Sequence, residues 1–186
     1  FCDYRKKQGG KFTIGFIGTV RYKEQMKLLI DAAEGKDVDI LIAGFAFDRE
    51  IEAYCANKSH VRFYGKYDYS KEIANIYGQV NCVYSVYNAD DNNVKVALPN
   101  KLYEAVYCEL PIIVAKGTYL SELVERMGVG ISVSHKSITE LENIIKRIST
   151  DREYYERMFV EACRKHKSDI DREKYDLKLL SKINGI

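Results

Sequence analysis

Six short apolar runs, rich in β-branched residues, alternate with helical patterns along this chain. That alternation restricts the fold more than any other feature. The runs are FTIGFIG (12–18), VDILIAG (38–44), VRFYG (61–65), NCVYSVY (81–87), PIIVA (111–115) and GISV (130–133). Between them, helical spacing is read at 23–35, 48–57, 70–78, 100–108, 119–127 and 137–149. In the first helix, Met26, Leu29, Ile30 and Ala33 fall on one stripe. Strand–helix alternation requires right-handed crossovers and hence a parallel sheet. The predicted fold class is α/β, a doubly wound, six-stranded Rossmann-like layer. Two further helices, at 151–167 and 171–183, lie outside the alternation. Residues 1–10 read as a linker or a cut end, 11–167 as the Rossmann-like domain, and 168–186 as a separate tail helix.

Composition narrows the function. The chain has 186 residues, 46% of them hydrophobic and 30% charged, with a net charge of +2. That suffices for a core of one domain. The charge is too balanced for a nucleic-acid binder, and no basic run departs from that balance. No stretch approaches the roughly 18 apolar residues of a membrane span. The opening FCDYRKKQGG has no apolar signal-peptide core. Five widely spaced cysteines and three scattered histidines give neither a disulfide framework nor a metal site, and reduced thiols are expected.

In such a sheet ligands bind beyond the carboxyl ends of the strands, where the strand order reverses. The usual order 3-2-1-4-5-6 frames that crevice with the loops after strands one and four. After strand four comes NADDNNVKVALP (88–99), with three asparagines and two aspartates. It is about twice the usual two to six residues of such a connection, and Asn93 within it is a candidate contact. Pro99 is expected at the first helical position, leaving the N–H groups of Asn100, Lys101 and Leu102 directed into the crevice as a phosphate site. Lys101 has the wrong sign for a helix start, and the right sign for a negative ligand there. Glu104 lies three residues on. A Lys101–Glu104 helix salt bridge is the plain alternative, although base before acid is the weaker order. After strand one, Gly18 permits close backbone approach, and Arg21 and Lys23 again put cations near a helix start. No G-x-G-x-x-G fingerprint or Walker motif is present. Tyr64, Tyr84 and Tyr87 on the strands are read as packing residues, and Cys108 as a buried thiol rather than a nucleophile.

PNKLYEAVYCELPIIVA (99–115) resembles the sugar-nucleotide motif of retaining, family-4-type glycosyltransferases of the GT-B fold, closest to bacterial surface-polysaccharide enzymes. FIGTVRYKEQMKLLIDAA, VDILIAGF, HVRFYGKYDYSKEIANIYGQVNCVYSVYN and GTYLSELVERMGVGISV follow in the family's order, so the resemblance covers residues 11 to 166. It is to the C-terminal, donor-binding domain. It implies an acceptor-binding domain ahead of this stretch, reached by the 171–183 helix. The implied substrate is a nucleoside diphosphate sugar, transferred with retention to a glycan or lipid-linked acceptor bound through the missing domain. No metal or other cofactor is implied. The implied setting is the cytoplasm, or the inner face of the membrane for the full-length protein. Glu104 matches the second glutamate of the family's E-x7-E pair, which binds ribose hydroxyls. Asn100 and Lys101 match the turn whose backbone amides hold the diphosphate, and Pro99 and Leu102 beside them, with Gly18 and Thr19 of the strand-one loop, are further donor-binding candidates. Gly65, Lys66 and Tyr67 match the loop that holds the base. Lys101, with Arg21 and Lys23 acting from positions shifted from the family's own basic pair, is the expected catalytic set, stabilising the charge on the departing diphosphate.

The sequence also departs from the pattern. The first glutamate of the pair would stand at Val96, the expected arginine at Thr19, the expected lysine at Glu24, and a second glycine after strand two at Ala46. Val96 leaves open a degenerate, binding-only transferase. A sugar-nucleotide 2-epimerase of the same fold is a further alternative, and would need acid–base residues not found here. A receiver-like domain is disfavoured, because cations rather than acids follow strand one.

Overall fold

The computed structural model describes residues 9–45 and 50–168. Six strands form one parallel sheet in the order β3-β2-β1-β4-β5-β6. They are β1 (Phe12–Ile17), β2 (Val38–Ala43), β3 (Val61–Gly65), β4 (Cys82–Ser85), β5 (Ile112–Ala115) and β6 (Gly130–Val133). The order reverses between β1 and β4, as in the usual doubly wound order.

The pleat sorts side chains onto two apolar layers. Phe12, Ile14 and Phe16 of β1, Ile40 and Ile42 of β2, and Tyr84 of β4 pack on one face. There they meet Met26, Leu29 and Ile30 of α1 (Lys23–Ala33), and Leu141 and Ile145 of α7 (Ile138–Thr150). Leu41, Val83, Ile112 and Val114 face the other way. They meet Ile73, Ile76 and Tyr77 of α3 (Tyr69–Tyr77), Leu102 and Val106 of α5 (Asn100–Tyr107), and Val124 of α6 (Tyr119–Met127). Each such fully buried aliphatic side chain contributes roughly 1.5–3 kcal/mol.

Three expectations are revised. The 88–99 connection is not simply a loop: Asp91 accepts a hydrogen bond from the Asn93 amide and starts a short helix, α4 (Asn92–Val96). Pro99 caps α5 instead of occupying its first turn, because its ψ of 148° is extended. The helix expected at 151–167 is interrupted. A wider π turn at Glu156–Val160 separates α8 (Arg152–Tyr155) from α9 (Glu161–His166). The extra width lets Tyr155, Phe159, Val160 and Cys163 all reach the core. The helix expected at 48–57 is seen as α2 (Glu50–Cys55), and its first two predicted residues fall outside the described ones. The 171–183 helix and residues 1–8 also lie outside them.

One turn carries a testable strain. Glu109, just past α5, has φ +56°, a region that is unfavourable for a residue with a Cβ. Its carboxylate accepts hydrogen bonds from Arg164 Nε at 2.9 Å and Lys167 Nζ at 3.3 Å. Glu109→Gly removes the strain and the ion pairs together, and is expected to leave stability within about 0.5 kcal/mol. Glu109→Ala keeps the strain, so urea unfolding should find it about 1 kcal/mol less stable than the glycine variant. Equal midpoints for the two would show that the turn is unstrained.

Candidate functional site

The loops after β1 and β4 meet, and Lys101 is where they do so. It is the second residue of α5, and its side chain runs back to the end of β1. A Cβ built on Gly18 would lie 3.2 Å from Lys101 Cε and 3.3 Å from its Nζ. The ammonium sits 3.9 Å from the centroid of the Phe16 ring and donates to the Tyr87 hydroxyl at 2.6 Å. Only 9% of the residue is exposed. Among the described residues no carboxylate pairs with it. A buried cation held by a hydroxyl and a π face, beside the opening of a helix, is arranged to meet a negative group from outside. Tyr22 ties the same two loops together again: its ring lies 5.3 Å from that of Tyr87, and its hydroxyl donates to Asp91 Oδ2 at 3.1 Å.

The backbone beneath is built on glycines. Gly18 (φ +130°) donates its N–H to the Ala43 carbonyl, and Gly44 (φ +146°) donates to the Gly65 carbonyl. A methyl group on Gly44 would stand inside van der Waals contact of the Gly18 carbonyl oxygen. The ends of β1, β2 and β3 are thus stacked without side chains between them, which brings Gly65 into the same crevice wall. At α5, the Leu102 amide donates to the Pro99 carbonyl at 3.1 Å. The expectation of three outward amides is therefore reduced to two, those of Asn100 and Lys101, which precede the first helical acceptor. Leu102 is fully buried and its side chain serves the core.

The Lys101–Glu104 salt bridge does not form. Lys101 turns toward β1, whereas Glu104 turns toward α3. Glu104 Oε1 accepts from the Tyr69 hydroxyl and Oε2 from the Tyr77 hydroxyl, each at 2.6 Å. Burial, then the Glu104 charge, push the Tyr77 phenol well above its usual pKa. Tyr67, half-buried, is raised in the same order of causes. So Tyr67 borders Glu104, while Lys66 extends outward, its ammonium 4.6 Å from the centroid of the Phe45 ring.

The remaining candidates are more scattered. Thr19 and Arg21 are exposed on the β1–α1 loop. The Lys23 ammonium is 2.5 Å from Glu50 Oε2, and Lys27 holds Oε1 at 2.6 Å. Those two hydrogen bonds bring the Glu50 carboxyl down to about 2, so at ordinary pH Lys23 is engaged by a charged carboxylate that it shares with Lys27. Asn93 is exposed on α4, as is Val96, at 73%. Cys108 is buried, and burial pushes its thiol up to about 12, which removes it as a nucleophile. Tyr84 is a packing residue, its hydroxyl donating to the Gln25 carbonyl, and Tyr64 donates to Glu72. Tyr87 packs against the core as expected, and its hydroxyl in addition accepts from Lys101. Phe16, Gly44, Tyr69, Tyr77 and Tyr87 are site residues that sequence reasoning missed. For Gly44 a signal existed, because each of the first three apolar runs ends in a glycine. Among the described residues no group of His, Cys, Asp and Glu could hold a metal, and no helix is long and apolar enough to cross a membrane.

The strand order, and the crevice at its reversal point, define a doubly wound Rossmann-like domain. Residues 4–165 match the family described as Glycosyl transferases group 1, and the chain belongs to that family. The succinoglycan biosynthesis protein ExoL of Rhizobium meliloti (strain 1021) is 24% identical over 144 residues, covering 74% of this chain and 36% of ExoL. Among solved structures, the C-terminal domain of the group 1 family protein LpcC from Francisella tularensis superposes with a TM-score of 0.67. It is 20% identical, and the match covers 89% of this chain and 87% of that one. Anabaena Alr3699/HepE, solved in complex with UDP-glucose, superposes at 0.73 with 17% identity, over 95% of this chain and 49% of that one. The chain thus spans about a third of ExoL and half of HepE.

Proposed function

We propose that this chain is the donor-binding half of a bacterial, cytoplasmic glycosyltransferase. In this reading it holds a nucleoside diphosphate sugar for transfer, with retained configuration, to a growing surface glycan. The buried Lys101, set between the two loops with no carboxylate partner among the described residues, carries the reading. Its charge, the Asn100 and Lys101 amides and the α5 dipole act together on one diphosphate, and stabilise the charge that grows as the glycosidic bond breaks. Arg21 adds to that field from the mouth, and Lys23 does so once Glu50 releases it. Cations and amides then do the work of a metal, so none is required. Glu104 accepts ribose hydroxyls, and the Gly65–Lys66–Tyr67 turn borders the base. UDP-glucose on HepE and the succinoglycan role in ExoL's name agree with this chemistry. The acceptor, glycan or lipid-linked, belongs to a further domain that completes the geometry.

Calorimetric titration of this chain with UDP, GDP and their sugars is expected to show binding in the millimolar range or tighter, about −4 kcal/mol or better, without turnover. No heat from any of them with a folded domain would remove the donor-site reading. Val96 favours one competitor, a binding-only homologue lacking the sugar-facing acid. Donor hydrolysis by the full-length protein that vanishes in Glu104→Ala would exclude it.

A further inference from the structure

Glu104 already has two hydroxyls on it, and the two are held very differently. Tyr77, in the last turn of α3, is completely buried, and its hydroxyl donates to Oε2. Water does not reach the hydroxyl there to replace Glu104, so breaking that bond is unfavourable. Tyr69, in the first turn, is 52% exposed, and its hydroxyl donates to Oε1. Its hydroxyl lies where water can take the place of Glu104. The two residues are eight positions apart, about 12 Å along the helix axis, so they clasp the carboxylate from opposite ends.

Resting on the donor-site reading above, we infer that Tyr77 is a fixed positioning residue for Glu104. Tyr69 is an internal stand-in for a ribose hydroxyl, which the nucleotide must displace from Oε1. A carboxylate oxygen that accepts a phenol at 2.6 Å offers the same acceptor geometry to a sugar hydroxyl. Tyr69 therefore competes with the ribose, whereas Tyr77 keeps the carboxylate aimed and its far oxygen satisfied. The phenol of Tyr77 stays protonated through the ordinary pH range, since burial and the Glu104 charge hold its pKa well above the usual value. It thus remains a donor whether or not ligand is bound.

The two tyrosines then have opposite signs in one experiment. UDP, GDP and inorganic pyrophosphate are titrated into the wild-type chain, Tyr69→Phe, Tyr77→Phe and Glu104→Gln. Tyr69→Phe is expected to bind the preferred nucleoside diphosphate roughly threefold to tenfold tighter, because a competing hydrogen bond is gone. Tyr77→Phe is expected to bind it roughly tenfold weaker. Neither should change pyrophosphate affinity, since pyrophosphate carries no ribose. Unchanged or weaker nucleotide binding by Tyr69→Phe overturns the inference, as does equal movement of pyrophosphate and nucleotide. If Glu104→Gln weakens the nucleotide while both phenylalanine variants behave as wild type, the donor site stands and this inference falls. If no diphosphate binds the wild-type chain, both fall.

Discussion

Lys101→Met is expected to abolish nucleoside diphosphate binding and to leave the fold as stable as before, or more so. The ammonium sits at 9% exposure, between the Phe16 ring and the Tyr87 hydroxyl, without a carboxylate among the described residues. Desolvating a cation is unfavourable, and a hydroxyl and a π face recover only part of that. Methionine has a similar length, fills the space along Gly18 and Phe16, and carries no charge to desolvate. It leaves the Tyr87 hydroxyl without its donor, a loss of about 1 kcal/mol. Urea unfolding should therefore place the variant between wild type and about 2 kcal/mol above it. A diphosphate would lose the one buried cation among the described residues, so affinity should fall by at least thirtyfold. A variant that binds UDP or GDP as wild type does would show that Lys101 serves packing only. One that unfolds would show that the cation is structural.

Gly44→Ala is the counterpart, an effect on the scaffold. Its φ of +146° is closed to residues with a Cβ, and the added methyl would meet backbone, the carbonyl of Gly18. Backbone cannot turn aside as a side chain can, so β1 and β2 would have to part at their carboxyl ends. A loss on the order of 4 kcal/mol is expected, enough to unfold a large fraction of a marginal domain at 37 °C. Gly18→Ala should be milder, because its methyl would meet only the flexible end of Lys101 at 3.2 Å, although its φ of +130° is strained as well. Thermal unfolding should therefore rank Gly44→Ala well below Gly18→Ala. The reverse order would mean that the stacked strand ends are not held by close backbone approach.

Much of this layout was legible in the chain. Strand positions follow from periodicity, since a parallel sheet buried on both faces writes itself as short apolar runs separated by amphipathic helices, and the strand order is the usual one of a doubly wound sheet. The misplaced charge of Lys101 was also visible, because the helix dipole makes a cation at a start conspicuous. Its destination was not. Whether Lys101 turns to Glu104 or to Gly18 depends on how α5 sits against β1, a contact between residues more than eighty positions apart. The Tyr69–Glu104–Tyr77 clasp was hidden for the same reason, for it exists only because α3 packs beside α5. The Lys23–Glu50 pair depends on where α2 begins, after a connection with no periodic signal. Pro99 was displaced by one position, a shift set by ψ rather than by residue type.

β1 and β2 are registered over six residue pairs, whereas β1 and β4 share only Ile14↔Cys82 and Gly15↔Val83. Reciprocal bonding between Thr13 and Asn81 extends that second junction. The narrowest seam of the sheet therefore runs beneath the place where Gly18 of one bank faces Lys101 of the other. Any molecule gripped from both banks acts as a rivet across it, so tightness of grip and cohesion of the two half-sheets become one thermodynamic quantity.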